Sequence, residues 1–127
     1  MRTGTSGGIE FEVTGGDTAK ALGSGDLEVL ATPRLLAWLE AATCAAVGGL
    51  EPERTTVGTR VDVRHRAASP VGAAVVATAT LVGIDGTLLT FEVAATDPAT
   101  GRVLGDGTIT RAVVDRGRFL ARLAEGS

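Results

Sequence analysis

The sequence is short of aromatic residues: among 127 positions there are three Phe, one Trp and no Tyr. So few rings offer no stacking surface for bases, and a net charge of −3 without long runs of one sign leaves no basic footprint for nucleic acid. Cysteine is nearly absent as well. A single Cys excludes an internal disulfide framework and fits a reducing compartment, so a cytoplasmic location is expected. One Cys and one His cannot build a zinc site on those ligands, and Ser24-Gly25 is no phosphate loop because no Gly-Lys-Ser/Thr follows it. No metal and no resident cofactor are therefore expected. The opening MRTGTSGGIEFEV has no apolar signal core, and no apolar run is long enough to cross a bilayer. What the chain does have is Ala and Gly, the latter 18 times, which points to one domain with a core of small aliphatic side chains.

The rest of the chain is organised around Thr32–Val47, TPRLLAWLEAATCAAV. A Thr hydroxyl can cap an orphan amide, Pro is preorganised for the first helical turn, and Gly48-Gly49 ends the helix. Leu35, Leu36, Trp38, Leu39, Ala42, Ala46 and Val47 fall on every side of the cylinder, so the helix is expected to be buried all round. Cys44 then reads as a small apolar filler. Glu40 interrupts the run, with Leu36, Ala37, Thr43 and Cys44 as its helical neighbours. A carboxylate in that setting is paired, hydrogen-bonded to Thr43 or to a buried amide, shifted in pKa by desolvation, or retained for chemistry.

Around this helix the pattern is that of strands. Residues 1–8 are rich in Gly, Ser and Thr and read as a frayed terminus, followed by the alternating strand Ile9–Val13 and a helical turn over Thr18–Leu22. Thr55–Ala67 alternates strictly. Val57, Thr59, Val61, Val63 and His65 share one face, and Arg60, Asp62, Arg64 and Arg66 the other, so the one histidine lies on the apolar face. Ala73–Val82 and Thr87–Thr96 pair through the hairpin dipeptide Asp85-Gly86. A turn at 97–101 leads into Arg102–Val114, where Gly105 and Gly107 suggest a bulge or a close backbone approach. Asp115–Ala124 closes as a short helix with Phe119, Leu120 and Leu123 on its apolar side.

One strand, a buried helix and four more strands make an α+β chain. A meander covers such a helix only by curling round it. This is the hot-dog arrangement, a curved antiparallel sheet of about five strands around one long helix. Its single inner face leaves one helix flank uncovered, which predicts a homodimer joined through the strand that carries His65.

The segments ATPRLLAWLEAA, VGTRVDVRHRAASPVG and GTITRAVVD together resemble the hot-dog thioesterases of the fluoroacetyl-CoA thioesterase type over about residues 23–115. The resemblance implies a catalytic set of Thr32, Glu40 and His65, with Gly58 and Arg111 binding the substrate. It also implies hydrolysis of an acyl-CoA to the free acid and CoA-SH, with CoA entering only as part of the substrate. In the family, aromatic residues ahead of the Thr shut the pocket. Residues 23–31 here contain none, so a short-chain or aryl acyl group is the expected substrate class. In such a site Glu40 acts as nucleophile or as general base on water, His65 orients and shuttles protons, and a backbone amide near Gly58 supplies the oxyanion donor. Thr32 either takes part or only caps the helix. If both lay on one straight helix, Thr32 and Glu40 would be about 12 Å apart. The rival readings are a hot-dog hydratase or dehydratase, a non-catalytic acyl-CoA-binding dimer and a purely structural dimer.

Overall fold

Alternation produces one antiparallel sheet in the computed structural model, which describes residues 1–126. The strands are β1 (Ser6–Glu12), β2 (Arg54–His65), β3 (Ala74–Asp85), β4 (Leu88–Thr96) and β5 (Val103–Asp115), in the spatial order β1-β3-β4-β5-β2. A short helix α1 (Ala19–Leu22) precedes the long helix α2 (Thr32–Ala46), and α3 (Arg116–Ala124) follows the sheet. Helix α2 contacts all five strands. A flat sheet with strands about 4.8 Å apart would be too wide for one helix to touch throughout, so the sheet must curl round it. Among the described residues no helix is long and apolar enough to cross a membrane.

The inward faces of β3 (Val75, Ala77, Ala79, Leu81) and β4 (Leu89, Phe91, Val93, Ala95) meet Leu35, Leu39, Ala42 and Ala46 of α2 in one core. The small side chains expected from composition allow this close approach. At Gly7 of β1 an added Cβ would lie 2.6 Å from the amide nitrogen of Ala46, so the end of α2 rests directly on strand backbone. Trp38 stacks on Phe11, ring centroids 4.5 Å apart, and closes the core at that edge.

Four expectations change. Ser6, Gly7 and Gly8, whose composition suggests a frayed terminus, pair with Thr80, Ala79 and Thr78 as strand residues. Helix α2 is not buried all round: Pro33, Ala37, Cys44 and Ala45 are exposed, and Leu36 and Ala41 are half-buried. Cys44 therefore lies on the uncovered flank and fills no core space. The helix cap is Ala31, with no side-chain cap bond, so Thr32 is the first helical residue and its hydroxyl is free for other work. On α3, which Asp115 caps by accepting from the Arg118 amide, Leu120 and Leu123 stay exposed.

Candidate active site

Two polar stations flank the helix. The first stands at its N-terminus, where Thr32 Oγ1 and His65 Nδ1 share a hydrogen bond of 2.8 Å. Pro33, the second residue of α2, fixes the first turn, Thr32 ahead of it faces the end of β2, and His65 is the last residue of that strand. Burial pushes the His65 imidazole below its ordinary 6.5, and the backbone at Ala67 pulls the other way without cancelling it. The ring is thus neutral at pH 7. Its Nε2 is buried and has no partner among the described residues, an orphan polar atom of the kind that native structures retain for a ligand or a reaction.

A cavity of about 280 Å³ opens beside this pair, lined by Val29, Leu30, Thr32, His65 and Ala67. Its walls come from the segment between β1 and α2, folded back by the amide bonds Ala19 to Val29 and Ala31 to Asp17 and tied to the chain after β2 by Leu30 to Ser69. Asp17 anchors the segment through Arg34 at 3.0 Å. Burial raises the Asp17 pKa, but the Thr14 amide and hydroxyl and the Arg34 guanidinium outweigh it, so the carboxylate lies below its usual range.

The second station lies two helical turns along α2. Glu40 points to the sheet, where Arg111 of β5 approaches it through Nη1 at 3.4 Å. Arg111 is itself buried and held by Thr56, donating from Nε to the hydroxyl at 2.9 Å and from Nη2 to the carbonyl at 3.1 Å. Thr43 does not satisfy the Glu40 carboxylate, since its hydroxyl donates to the Glu40 backbone carbonyl. The carboxylate side chain stays 40% exposed, on the uncovered flank of the helix. Gly58 lies against it: a Cβ there would come within 2.5 Å of Glu40 Oε2 and 3.5 Å of Arg111 Nη1.

A bulge makes that contact possible. The pairing of β2 with β5 runs Gly58 to Arg111 and then Arg60 to Thr110, leaving Thr59 as the extra residue. Each extra residue flips the faces of the residues beyond it. Val61, Val63 and His65 therefore face the helix together with Thr56 and Gly58, and Val57 is on the outer face beside Phe119. Strict alternation groups Val57 and Thr59 with His65, and the bulge corrects that grouping. Thr56, which seats Arg111, went unrecognised because nothing in the sequence separates it from Thr55. The available signal was Gly58, a glycine inside a strand. Asp62 faces outward, as expected, so the His65 strand offers no inward acid for a hydratase pair.

Within one chain the stations do not meet. Along α2 they are about 12 Å apart, and along β2 the seven residues from Gly58 to His65 span about 23 Å. Among the described residues no group of three His, Cys, Asp or Glu side chains converges as a metal site. A carboxylate over a side-chain-free backbone position, an orphaned neutral imidazole with a hydroxyl partner, and a cavity beside it are parts suited to acyl transfer to water.

A family model for fluoroacetyl-CoA-specific thioesterases (FlK) matches residues 13–117. A fluoroacetyl-CoA thioesterase of Streptantibioticus cattleyicolor is 35% identical over 99 residues, covering 77% of this chain and 70% of that protein. The solved structure of the fluoroacetyl-CoA thioesterase FlK superposes with a TM-score of 0.90 at 31% identity, covering 100% of this chain and 98% of the other. A hot-dog-like protein from Thermanaerovibrio acidaminovorans superposes at 0.88 with 22% identity over 98% of this chain and 92% of its own, a likeness of fold.

Proposed function

This chain belongs to the fluoroacetyl-CoA-specific thioesterase family and is a thioester hydrolase of hot-dog fold, and from that premise we propose that Thr32, Glu40 and His65 carry the reaction on a short-chain or aryl acyl-CoA. Water and acyl-CoA give the carboxylic acid and CoA-SH. Glu40 takes a proton from water, or attacks the carbonyl itself through an anhydride that water then opens. The tetrahedral oxyanion is held by the Gly58 backbone amide, where no side chain blocks the approach. Collapse expels the thiolate, and His65 relays the proton it takes up. Arg111 positions Glu40, and its Nη1 borders the niche over Gly58, so it also meets a bound carbonyl. No resident cofactor is called for.

Homodimerisation completes this site. Strand β2 is an edge of the sheet, twelve residues long and paired only with β5. Two such edges pairing antiparallel about a two-fold axis near Asp62 bring the Gly58 of each subunit towards His65 of the partner subunit. The bulge supports this reading because it sets Gly58 and His65 on the same face. Glu40, Gly58 and Arg111 of one subunit then work with Thr32 and His65 of the other. The single Cys fits the reducing cytoplasm as the compartment.

The observation that carries the proposal is the Glu40 carboxylate poised over Gly58. Thiol release from a panel of acyl-CoAs tests it. Glu40→Gln should keep the fold and melting temperature while lowering turnover by about two orders of magnitude or more. Turnover like that of the wild type in Glu40→Gln would end this mechanism.

A further inference from the structure

The site leaves one feature unexplained, the cavity beside Thr32 and His65, which reaches past both into the segment before α2. Beyond these two residues, Arg66 and Ser24, the side chains that line it are alkyl: Ala19, Val29, Leu30, Ala67 and Ala68. The one charged residue that lines it, Arg66, is engaged by Asp106 at 2.7 Å and brings no free charge inside. No Phe, Tyr or Trp lines it, so the His65 imidazole is its one ring among the described residues. The loop that contributes Ser24 also exposes Leu22 and Leu27, neither of which lines the cavity, together with Lys20, Asp26 and Glu28. Largely alkyl walls and no unpaired charge among the lining residues describe a cleft for a hydrocarbon chain.

We propose that this cavity is the acyl pocket and that it selects a straight aliphatic acyl group longer than acetyl. The assignment rests on the thioesterase reading above and specifies its substrate class. Size sets the length. A cavity of roughly 150 Å³ lined by aliphatic residues holds benzene, so the 280 Å³ here accommodates an acyl chain of about four to eight carbons. A two-carbon acyl group would leave most of the alkyl wall in contact with water and gain none of its burial. With the His65 imidazole engaged by Thr32 and no Phe, Tyr or Trp in the walls, a flat aryl group gains less here than an alkyl chain that follows the wall from Thr32 to Ala19. Ala19, Ala67 and Ala68 thereby determine chain length: each is the smallest side chain that still lines a wall.

The test uses the full-length enzyme and straight-chain acyl-CoAs from acetyl to decanoyl, with binding of hexanoate followed by calorimetry as a second measurement. The wild type should prefer hexanoyl-CoA to acetyl-CoA by tenfold or more in kcat/KM, since each methylene buried in an apolar pocket contributes roughly tenfold or more. Ala19→Phe and, separately, Ala67→Phe should lower that hexanoyl-to-acetyl ratio at least tenfold and abolish hexanoate binding. Acetyl-CoA as the best substrate, or an unchanged ratio in both variants, overturns the pocket assignment. A wild type that cleaves none of the thioesters overturns the thioesterase reading. The pocket is then judged on hexanoate alone: binding that Ala19→Phe abolishes supports it, and absence of binding overturns it.

Discussion

His65 is kept neutral by its burial, which outweighs the backbone at Ala67, and its Nδ1 is positioned by the hydroxyl of Thr32. In the tautomer whose Nδ1–H donates to Thr32 Oγ1, the neutral imidazole accepts a proton at Nε2 at pH 7, whereas an imidazolium cannot. With the folded pKa below 6.5, the unfolded chain binds this proton first as pH falls. The stability linked to neutral His65 is therefore present above pH 6.5 and is lost as pH drops through the lower folded value. Turnover should follow the same residue. A profile of kcat/KM against pH should show an acid limb centred below 6.5, and His65→Gln should remove that limb along with most of the rate. A limb centred above 6.5 would mean that His65 is not the titrating base. Thr32 was ambiguous between cap and participant from its sequence context, because Thr before Pro suits both roles. The cap is Ala31 and the hydroxyl goes to His65, so Thr32→Ala should spare the ~1 kcal/mol that loss of a cap costs and should lower the rate instead.

At the scale of elements, β2 decides how the site is built, and it is also where reading by period failed. Periodicity located all five strands and the long helix, because apolar repeats of two and of 3.6 residues survive in a sequence whatever their tertiary setting. A bulge leaves no such repeat. It shifts the register by one residue, so the side chains before Thr59 face opposite to what strict alternation counted from His65 gives, although they stay in the same strand. Glu40 was legible as an anomaly, but its partner Arg111 stands 71 residues away and only the β2–β5 pairing brings it to the helix. Gly58 gives this element its prediction. A valine there suits a strand, and the atom it would strike is the mobile end of Glu40, so folding should survive with little change in melting temperature. The carboxylate would be driven off the niche, and turnover should fall by at least a hundredfold. Full activity in Gly58→Val would remove Gly58 from the site, and loss of folding would show that the position is structural.

The whole molecule carries two unfinished surfaces, the outer edge of β2 and the flank of α2 that exposes Pro33, Ala37, Cys44 and Ala45. A strand of twelve residues with one edge unpaired among the described residues invites another strand, and the symmetric dimer proposed above would cover both surfaces in each copy with one interface. One sheet with one inner face is the ground in the sequence for expecting a second subunit, whereas the proposed division of labour rests on which end of β2 each station occupies, which the sequence does not display. Glu40 and His65 sit too far apart in one chain to share a carbonyl, and the proposed pairing of antiparallel edges would bring them together. The decisive measurement is therefore thiol release by a mixed dimer, with Glu40→Gln in one subunit and His65→Ala in the other, co-expressed with two different tags and purified through both. Each parent homodimer should be inactive. In the mixed dimer one site carries both substitutions and the other carries neither, so turnover per dimer should return to about half that of the wild type. A mixed dimer as inactive as its parents, or a protein that sediments only as a monomer, would contradict a site shared between subunits.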